Sequence, residues 1–150
     1  MTTPLSPMEI ALAEARAAAA RGEVPVGAVV TDAAGQVIAR AGNEVEARVD
    51  ASAHAEILAL RAAAQDMGQK FLAEATLHVT LEPCPMCAQA ISFFRVKRLI
   101  FGAYDPKGGG VEHGPRLYAR PGCLHAPEVV GGVREREAAA LLQDFFRARR

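Results

Sequence analysis

The 150-residue sequence has little cysteine and no long hydrophobic run. Its three cysteines are too few, and odd in number, for the disulfide framework of a small secreted domain, and two lie close together in PCPMC, which favours metal or redox chemistry. No segment reaches the roughly 18 consecutive apolar residues that a membrane span needs, and MTTPLSPMEI lacks the features of a signal peptide. These absences predict a cytoplasmic protein without a membrane partner.

The chain also lacks net charge, because 17 Lys and Arg residues balance 17 Asp and Glu residues. A balanced chain is not expected to bind nucleic acid broadly and non-specifically, although a local basic patch remains possible. Hydrophobic residues make up 51% and charged residues 23%, which is ordinary for a globular protein and unlike disorder. The length predicts one domain over residues 1–150.

Helices and strands alternate along most of the chain. Ser6, Pro7 and Glu9 form a helix-start signal for a first helix that runs to about Arg21. The other predicted elements are strands in 24–32 and 35–43 joined by a hairpin at DAAG, a helix over 55–67, a strand over 75–82, a helix over 85–95, a strand over 97–103, a short strand at 128–130 and a helix from about 133. This order predicts an α/β fold with helices on both faces of a sheet. Residues 108–110 predict a flexible loop, because no Gly-Lys-Ser/Thr follows to make a phosphate cradle.

The helix that begins in SAHAEILALR carries His54 and Glu56 in its first turn. Residues two apart point about 200° from each other in mid-helix and could not serve one site there. At the N-terminus the chain is still turning into the helix, so both side chains can reach one cleft. Cys84 and Cys87, which follow Pro83 at i and i+3, place two sulfurs on one face of the next predicted helix.

One imidazole and two thiolates make the three-ligand set of a catalytic zinc site, whose fourth position is left for water. Glu56 is then available to carry protons without binding the metal. Taken singly, a histidine near a helix start is usually a cap or surface residue, and C-x-x-C can be a redox pair or half of a structural zinc site. A structural site needs a fourth ligand, and the remaining candidates show no paired spacing: Cys123, His78, His113 and His125. Cys123 is interpreted as a free thiol with a packing role, and His78 as a structural strand residue.

The pattern H-A-E followed by P-C-P-M-C matches the H-x-E…P-C-x-x-C signature of zinc deaminases. Further segments, EVPVGAVV, AGN, AHAEILALR, ATLHVTLEPCPMC, FGAYDPK and ALLQDFFRARR, resemble the bacterial tRNA-specific adenosine deaminases over nearly the whole chain. The resemblance implies a three-layer α/β/α cytidine-deaminase-like fold with a central mixed sheet of about five strands. It also implies a homodimer with one zinc ion per subunit that converts adenosine to inosine at the wobble position of a tRNA anticodon. In that family, His54, Cys84 and Cys87 would hold zinc and Glu56 would shuttle protons.

The same resemblance implies a set of substrate-binding residues. Asn43 of AGN would hydrogen-bond the flipped base, although without the family it would equally be a turn former. The other expected contacts are Val26, Ala55, Asp105, Lys107, Phe146 and Arg149. By itself the tail DFFRARR indicates a core-facing Phe pair with solvated charges. The resemblance makes it an RNA-contacting end that includes Arg147, Arg149 and Arg150.

Three hypotheses remain open from the sequence. The first is a tRNA adenosine deaminase that binds an anticodon stem-loop through its tail arginines and AYDPK. The second is a small-molecule deaminase acting on guanine, cytosine or a related base, which shares the zinc ligands but needs no basic rim. The third is a non-enzymatic zinc-stabilised binding module, which has no use for an unliganded Glu56.

Overall fold

The computed structural model describes residues 3–149. Within them lie five strands: β1 (Gly27–Thr31), β2 (Val37–Gly42), β3 (Thr76–Leu81), β4 (Arg98–Ala103) and β5 (Glu128–Val130). The α-helices of the same residues are α1 (Pro7–Ala20), α2 (Val45–Arg48), α3 (Ala55–Met67), α4 (Pro85–Phe93) and α5 (Glu135–Arg147), and Leu117–Ala119 form a turn of 3-10 helix.

The strands form one mixed sheet in the order β2-β1-β3-β4-β5. β1 pairs antiparallel with both β2 and β3, whereas β4 pairs parallel with both β3 and β5. Every residue of β1 is buried, as expected for a strand inside a sheet that is covered on both faces.

Helices cover both faces of this sheet. Met8 and Leu12 of α1 share an apolar cluster with Ala138 of α5, while Leu60 of α3 and Ile91 of α4 belong to a larger cluster. The three-layer α/β/α architecture with a mixed sheet of five strands confirms the expected fold.

Local signals gave most element boundaries correctly. The Ser6 hydroxyl accepts the backbone N–H of Glu9, and the Glu9 side chain accepts the N–H of Ser6, so the expected capping box is present. The first hairpin is confirmed, but its strands are shorter than predicted. The segment before β1 is a tight turn in which the Val26 N–H donates to the Val24 carbonyl. Neither α2 nor the 3-10 turn was predicted, because segments of three or four residues carry no readable periodicity.

The fold brings the chemically important segments to one edge of the sheet. Since β3 and β4 are parallel, their carboxyl ends lie together, and ligand sites of α/β sheets occur beyond such ends. Glu82 and Cys84 follow β3, and Asp105 follows β4.

Among the helices that the structure describes, none has the length and apolar character required to cross a membrane.

Candidate active site

Two of the expected metal ligands occupy helix N-cap positions. His54 is the N-cap of α3 and Cys84 is the N-cap of α4, and both have extended backbone angles. Neither side chain makes a capping hydrogen bond. Because neither side chain is hydrogen-bonded to its own helix, both can project into the cleft between α3 and α4.

These side chains meet with Cys87 at one point. The Nδ1 atom of His54 lies 3.6 Å from the Cys84 sulfur and 3.5 Å from the Cys87 sulfur. The three donor atoms lie within 4.8 Å of one another, so the group is able to hold a metal ion. The sequence prediction that these residues converge is confirmed by the structure.

The pKa values of the two thiols shift in opposite directions in this arrangement. Hydrogen bonding from the Cys87 thiol, with a further contribution from His54, lowers the pKa of Cys84 to about 4. The same bond to Cys84, together with burial, raises the pKa of Cys87. A cation placed among the three donors would displace the thiol proton, because metal binding requires thiolates.

Glu56 lies in the first turn of α3, and only 4% of the residue is exposed. Burial raises the pKa of Glu56 to about 7, against the opposing effects of its backbone hydrogen bond and of nearby His54. A carboxyl group with a pKa in that range can both accept and release a proton at neutral pH, as general acid–base chemistry requires.

His54, Glu56 and Cys84 line a cavity of about 760 Å³. That volume is typical of sites that enclose a small molecule or a single nucleotide. The rest of its walls come from five distant parts of the chain, which contribute Val24 and Val26 before β1, Asn43, Val45, Glu46 and Ala51 around α2, Leu81 and Glu82 at the end of β3, Asp105 and Gly108 after β4, and Phe145 and Arg149 at the end of α5.

Asn43 is nearly buried on this cavity wall. Its side-chain oxygen accepts a hydrogen bond from the backbone N–H of Ala55 at 2.7 Å, and its backbone carbonyl accepts a hydrogen bond from the Arg21 guanidinium. Asn43 thus satisfies a free N–H at the start of α3, next to both His54 and Glu56. One end of the amide is fixed by the fold, while the residue as a whole faces the cavity.

Val26, Asp105 and Arg149 also lie on the cavity wall, as expected of substrate-binding residues. Three other expected contacts are not among the lining residues. Ala55 is fully buried and contributes its backbone N–H to Asn43, Lys107 is exposed, and Phe146 is 50% exposed. Its neighbour Phe145 is the aromatic residue that faces the cavity, with the Arg149 guanidinium 3.5 Å from the centre of its ring. Arg147 is exposed beside Asp144, and Arg150 lies outside the described residues.

Two buried acidic residues at the cavity were not found by sequence reasoning. Glu23 accepts the N–H groups of Glu46 and Ala47 at the start of α2. Glu82 accepts the N–H groups of Asp105, Val111, Glu112 and His113, and its oxygen also lies 2.8 Å from Nδ1 of His113. Burial opposes ionisation of Glu82, yet these hydrogen bonds hold its pKa below the ordinary value. In the sequence, the only sign of these two residues is their position: Glu23 precedes a Val-rich segment, and Glu82 precedes the Pro-Cys segment.

The Gly-rich segment is not the loose loop that the sequence predicted. A side chain at Gly109 would collide with the Glu82 carboxylate, and one at Gly110 would approach the Pro85 Cα to 2.7 Å. The Gly110 N–H donates to the Pro83 carbonyl at 2.8 Å. Glycine is needed here because the loop packs directly against the turn that carries Cys84.

The remaining histidine and cysteine assignments agree with the structure. His78 is buried, with Nε2 at 3.0 Å from the Thr31 hydroxyl, so it is a structural residue of the sheet. Cys123 is a free thiol near Ser92 and the His125 carbonyl, outside the group of three metal-binding candidates.

Comparison with known proteins agrees with this geometry. Residues 5–150 match the MafB19-like deaminase family. The chain is 55% identical over 144 residues to the tRNA-specific adenosine deaminase of Agrobacterium fabrum, covering 95% of this chain and 93% of the relative. A solved structure from studies of A-to-I editing by tRNA A34 deaminases matches with a TM-score of 0.89 and 54% identity, over 91% of this chain and 98% of that one.

A more distant structural match is the guanine deaminase of Nitrosomonas europaea, with a TM-score of 0.80 and 27% identity, over 97% of this chain and 85% of that one. The family match covers almost the whole chain, and three residues of the deaminase signature, His54, Glu56 and Cys84, line one cavity, with Cys87 grouped beside His54 and Cys84. The chain therefore belongs to the MafB19-like deaminase family, and within it to the group of the bacterial tRNA-specific adenosine deaminases.

Proposed function

We propose that this protein is a zinc-dependent hydrolase that converts adenosine to inosine at the wobble position of tRNA anticodons. The observation that carries the proposal is the meeting of a His/Cys/Cys group with buried Glu56 in one cavity, in a chain 55% identical to a tRNA-specific adenosine deaminase. Residues 1–150 form a single deaminase domain in this proposal, and the compartment that fits it is the cytoplasm.

Zinc is the metal that the donor set favours, because one imidazole and two thiolates are borderline and soft ligands. With zinc–sulfur bonds of about 2.3 Å, zinc–nitrogen bonds of about 2.0 Å and tetrahedral angles, sulfur and nitrogen ligands lie about 3.5 Å apart. In the structure, the Nδ1 atom of His54 lies 3.6 Å from the Cys84 sulfur and 3.5 Å from the Cys87 sulfur. Within the described residues no fourth protein donor belongs to the group, as in catalytic rather than structural sites.

The chemistry divides between the metal and Glu56. Bound to His54, Cys84 and Cys87, zinc would supply Lewis-acid activation of the attacking water. Glu56 takes a proton from that water and delivers it to the ring nitrogen as the oxygen bonds to C6 of adenine. Glu56 then passes the remaining hydroxyl proton to the amino group, the C6–N bond breaks, and ammonia leaves. Water is consumed and inosine is formed, so no further reactant is needed.

The adenosine must leave the stack of the anticodon loop to enter this cavity. We assign the base-facing wall to Asn43 and Val26, with the backbone of Ala55 fixed behind Asn43. Asp105 and Arg149 face the entering nucleotide, and Lys107 and Phe146, which lie outside the cavity wall, would contact flanking nucleotides. The stacked pair of Arg149 and Phe145 offers both a cation for phosphate and an aromatic surface for a base.

The functional unit in this proposal is a homodimer. Phe93 at the end of α4 is 64% exposed and Leu124 is 90% exposed, and both line a shallow pocket of about 300 Å³ with Phe71. Ser92, Arg95 and His125 line the same pocket, and exposed apolar side chains bordered by polar residues are typical of protein interfaces. Analytical ultracentrifugation should give twice the monomer mass, and Phe93→Asp should lower it towards the monomer.

The function is tested with a zinc-loaded protein and an anticodon stem-loop that carries adenosine at the wobble position. Nucleoside analysis of the digested RNA should show inosine formed only with the active protein. A matched stem-loop with guanosine at that position should be unchanged. Absence of inosine in the first RNA would overturn the proposed activity, and deamination of free guanine would favour the small-molecule alternative suggested by the Nitrosomonas europaea relative.

A further inference from the structure

The side chain of Glu82 is fully buried between the metal-binding turn and the Gly-rich loop. It stands two residues before Cys84 and lies at the cavity, but it is not part of the group of His54 and the two cysteines. Its two oxygens are instead shared among four backbone N–H groups of residues 105 and 111–113 and the ring nitrogen of His113. The proton transfers described above do not use this carboxylate.

Those hydrogen bonds fold the segment 105–113 around one anion. The Asp105 N–H donates at 3.0 Å from one end of the segment, and the Glu112 N–H donates at 2.9 Å from the other end. The turn between them is closed by the Gly109 N–H, which donates to the Asp105 carbonyl at 2.9 Å. Five donors of this loop point at one buried carboxylate. If the negative charge is removed, these donors lose their strong acceptor and the present conformation of the loop is destabilised.

The same loop forms part of the substrate cavity. Asp105 and Gly108 lie on its wall, and Gly110 is bonded to the Pro83 carbonyl beside Cys84. Glu56 and His54 lie at the start of α3, and neither side chain is hydrogen-bonded to residues 105–113. A shift of the loop would therefore change how substrate is held before it changed the proton transfers.

We propose that Glu82 is a positioning residue whose buried carboxylate fixes loop 105–113 as a wall of the substrate cavity. The role rests on the proposed function, because the wall is assigned to the nucleotide that enters the cavity. Glu82 acts through the loop, and it is the loop that touches the substrate.

The test compares Glu82→Gln with Glu74→Gln in the zinc-loaded protein. Glu74 lies just before β3, outside the loop and the cavity wall, its side chain is 72% exposed, and the substitution removes the same charge. Because an amide cannot accept all five donors, Glu82→Gln should raise KM for the anticodon stem-loop on the order of tenfold, with kcat nearly unchanged. Hydrogen exchange should become faster at the amides of residues 105 and 111–113. Glu74→Gln should match the parent in both measurements.

A merely structural role for Glu82 gives a different pattern. Misfolded protein would lower the active fraction and hence kcat, leaving KM unchanged, and that result would overturn the proposal. If Glu82→Gln does not fold, His113→Ala removes only one of the five donors from a partly exposed position. It should raise KM in the same direction by a smaller factor, and an unchanged KM would overturn the proposal. A parent protein inactive on the stem-loop would overturn the proposed function instead.

Discussion

His54 and Cys84 show that single residues here serve chemistry in preference to local stability. Helix N-caps usually hold Ser, Thr, Asp or Asn, and loss of such a cap costs about 1 kcal/mol. Here the two N-cap side chains make no capping bond and face each other across the cleft. The start of α3 is served by Asn43 instead, through the N–H of Ala55.

The metal assignment predicts that Cys84 and Cys87 are each essential for zinc binding. Cys84→Ala or Cys87→Ala should reduce zinc from about one ion per protomer to almost none, because only two of the three ligands remain. Cys123→Ala is the matched control, since that free thiol lies outside the ligand group. Elemental analysis of the purified proteins gives the zinc content, and full zinc in the Cys84 and Cys87 variants would refute the ligand assignment.

Glu56→Gln tests the proton carrier without changing its shape. Activity on the stem-loop should fall by on the order of a hundredfold or more, because an amide cannot take up and release the proton. Zinc content and the unfolding midpoint should stay close to those of the parent. Glu128→Gln removes a carboxylate from exposed β5 and should retain activity. Turnover at the parental rate in Glu56→Gln would remove this residue from the mechanism.

The catalytic pattern was readable from the sequence, but the residues that support it were not. His54, Glu56, Cys84 and Cys87 have a spacing fixed by two helix starts. Glu82 was missed because its partners are backbone N–H groups of a loop, and no residue type identifies them. The sequence could not tell that Phe145 and not Phe146 lines the cavity, because adjacent helix residues differ by about 100° and tertiary packing decides which one faces inward.

At the scale of elements, the long periodic segments were predicted well and the short ones were not. The limits of α3, with its left-handed Gly68 at the end, agree with the sequence prediction. The four-residue α2 forms because Glu23 accepts two of its N-terminal N–H groups, a tertiary contact that local sequence cannot reveal. The Gly-rich loop at 108–110 was wrongly predicted to be flexible, because its order also comes from tertiary contacts, with Glu82 and with the turn at residues 83–85.

The pairing of β1 and β3 gives a prediction about pH. Burial, with a smaller effect of Arg98, lowers the pKa of His78 to about 4, whereas the unfolded value is about 6.5. Below pH 6.5 His78 becomes protonated in the unfolded chain, whereas in the folded chain it stays neutral until about pH 4. Folding stability therefore falls as the pH drops through this window.

His78→Gln should remove this pH dependence while its amide can still bond the Thr31 hydroxyl. The parent should lose about 2 kcal/mol more than the variant in free energy of unfolding between pH 7.5 and pH 5. Urea denaturation of both proteins at the two pH values provides the measurement. Equal losses in both proteins would show that His78 titrates normally in the folded sheet.

At the scale of the whole molecule, the cavity brings the end of α5 next to the segment between α1 and β1. The end of α5 reaches the region before β1, where a side chain at Gly22 would lie 4.0 Å from the Arg149 guanidinium. Arg149 is held over Phe145 and donates to its carbonyl at 3.3 Å. A cation is thus placed at the cavity of a chain that has no net charge.

Arg149→Ala should weaken stem-loop binding and flatten its salt dependence, because each phosphate contact releases counterions. The slope of log K against log salt should decrease by on the order of one, with zinc content unchanged. Arg98→Ala removes the same charge from the start of β4, at the opposite end of the sheet, and should leave the slope as in the parent. Identical slopes for the parent and Arg149→Ala would show that Arg149 contacts no phosphate.

The measurement that tests the central claim most directly is kcat/KM for the wobble-adenosine stem-loop beside free guanine, cytosine and adenosine. Binding of the flanking nucleotides should be used to reach the transition state, so the stem-loop should exceed each small substrate by on the order of a hundredfold or more. A higher value for a free base would contradict the account and make the protein a small-molecule deaminase that uses the same metal site.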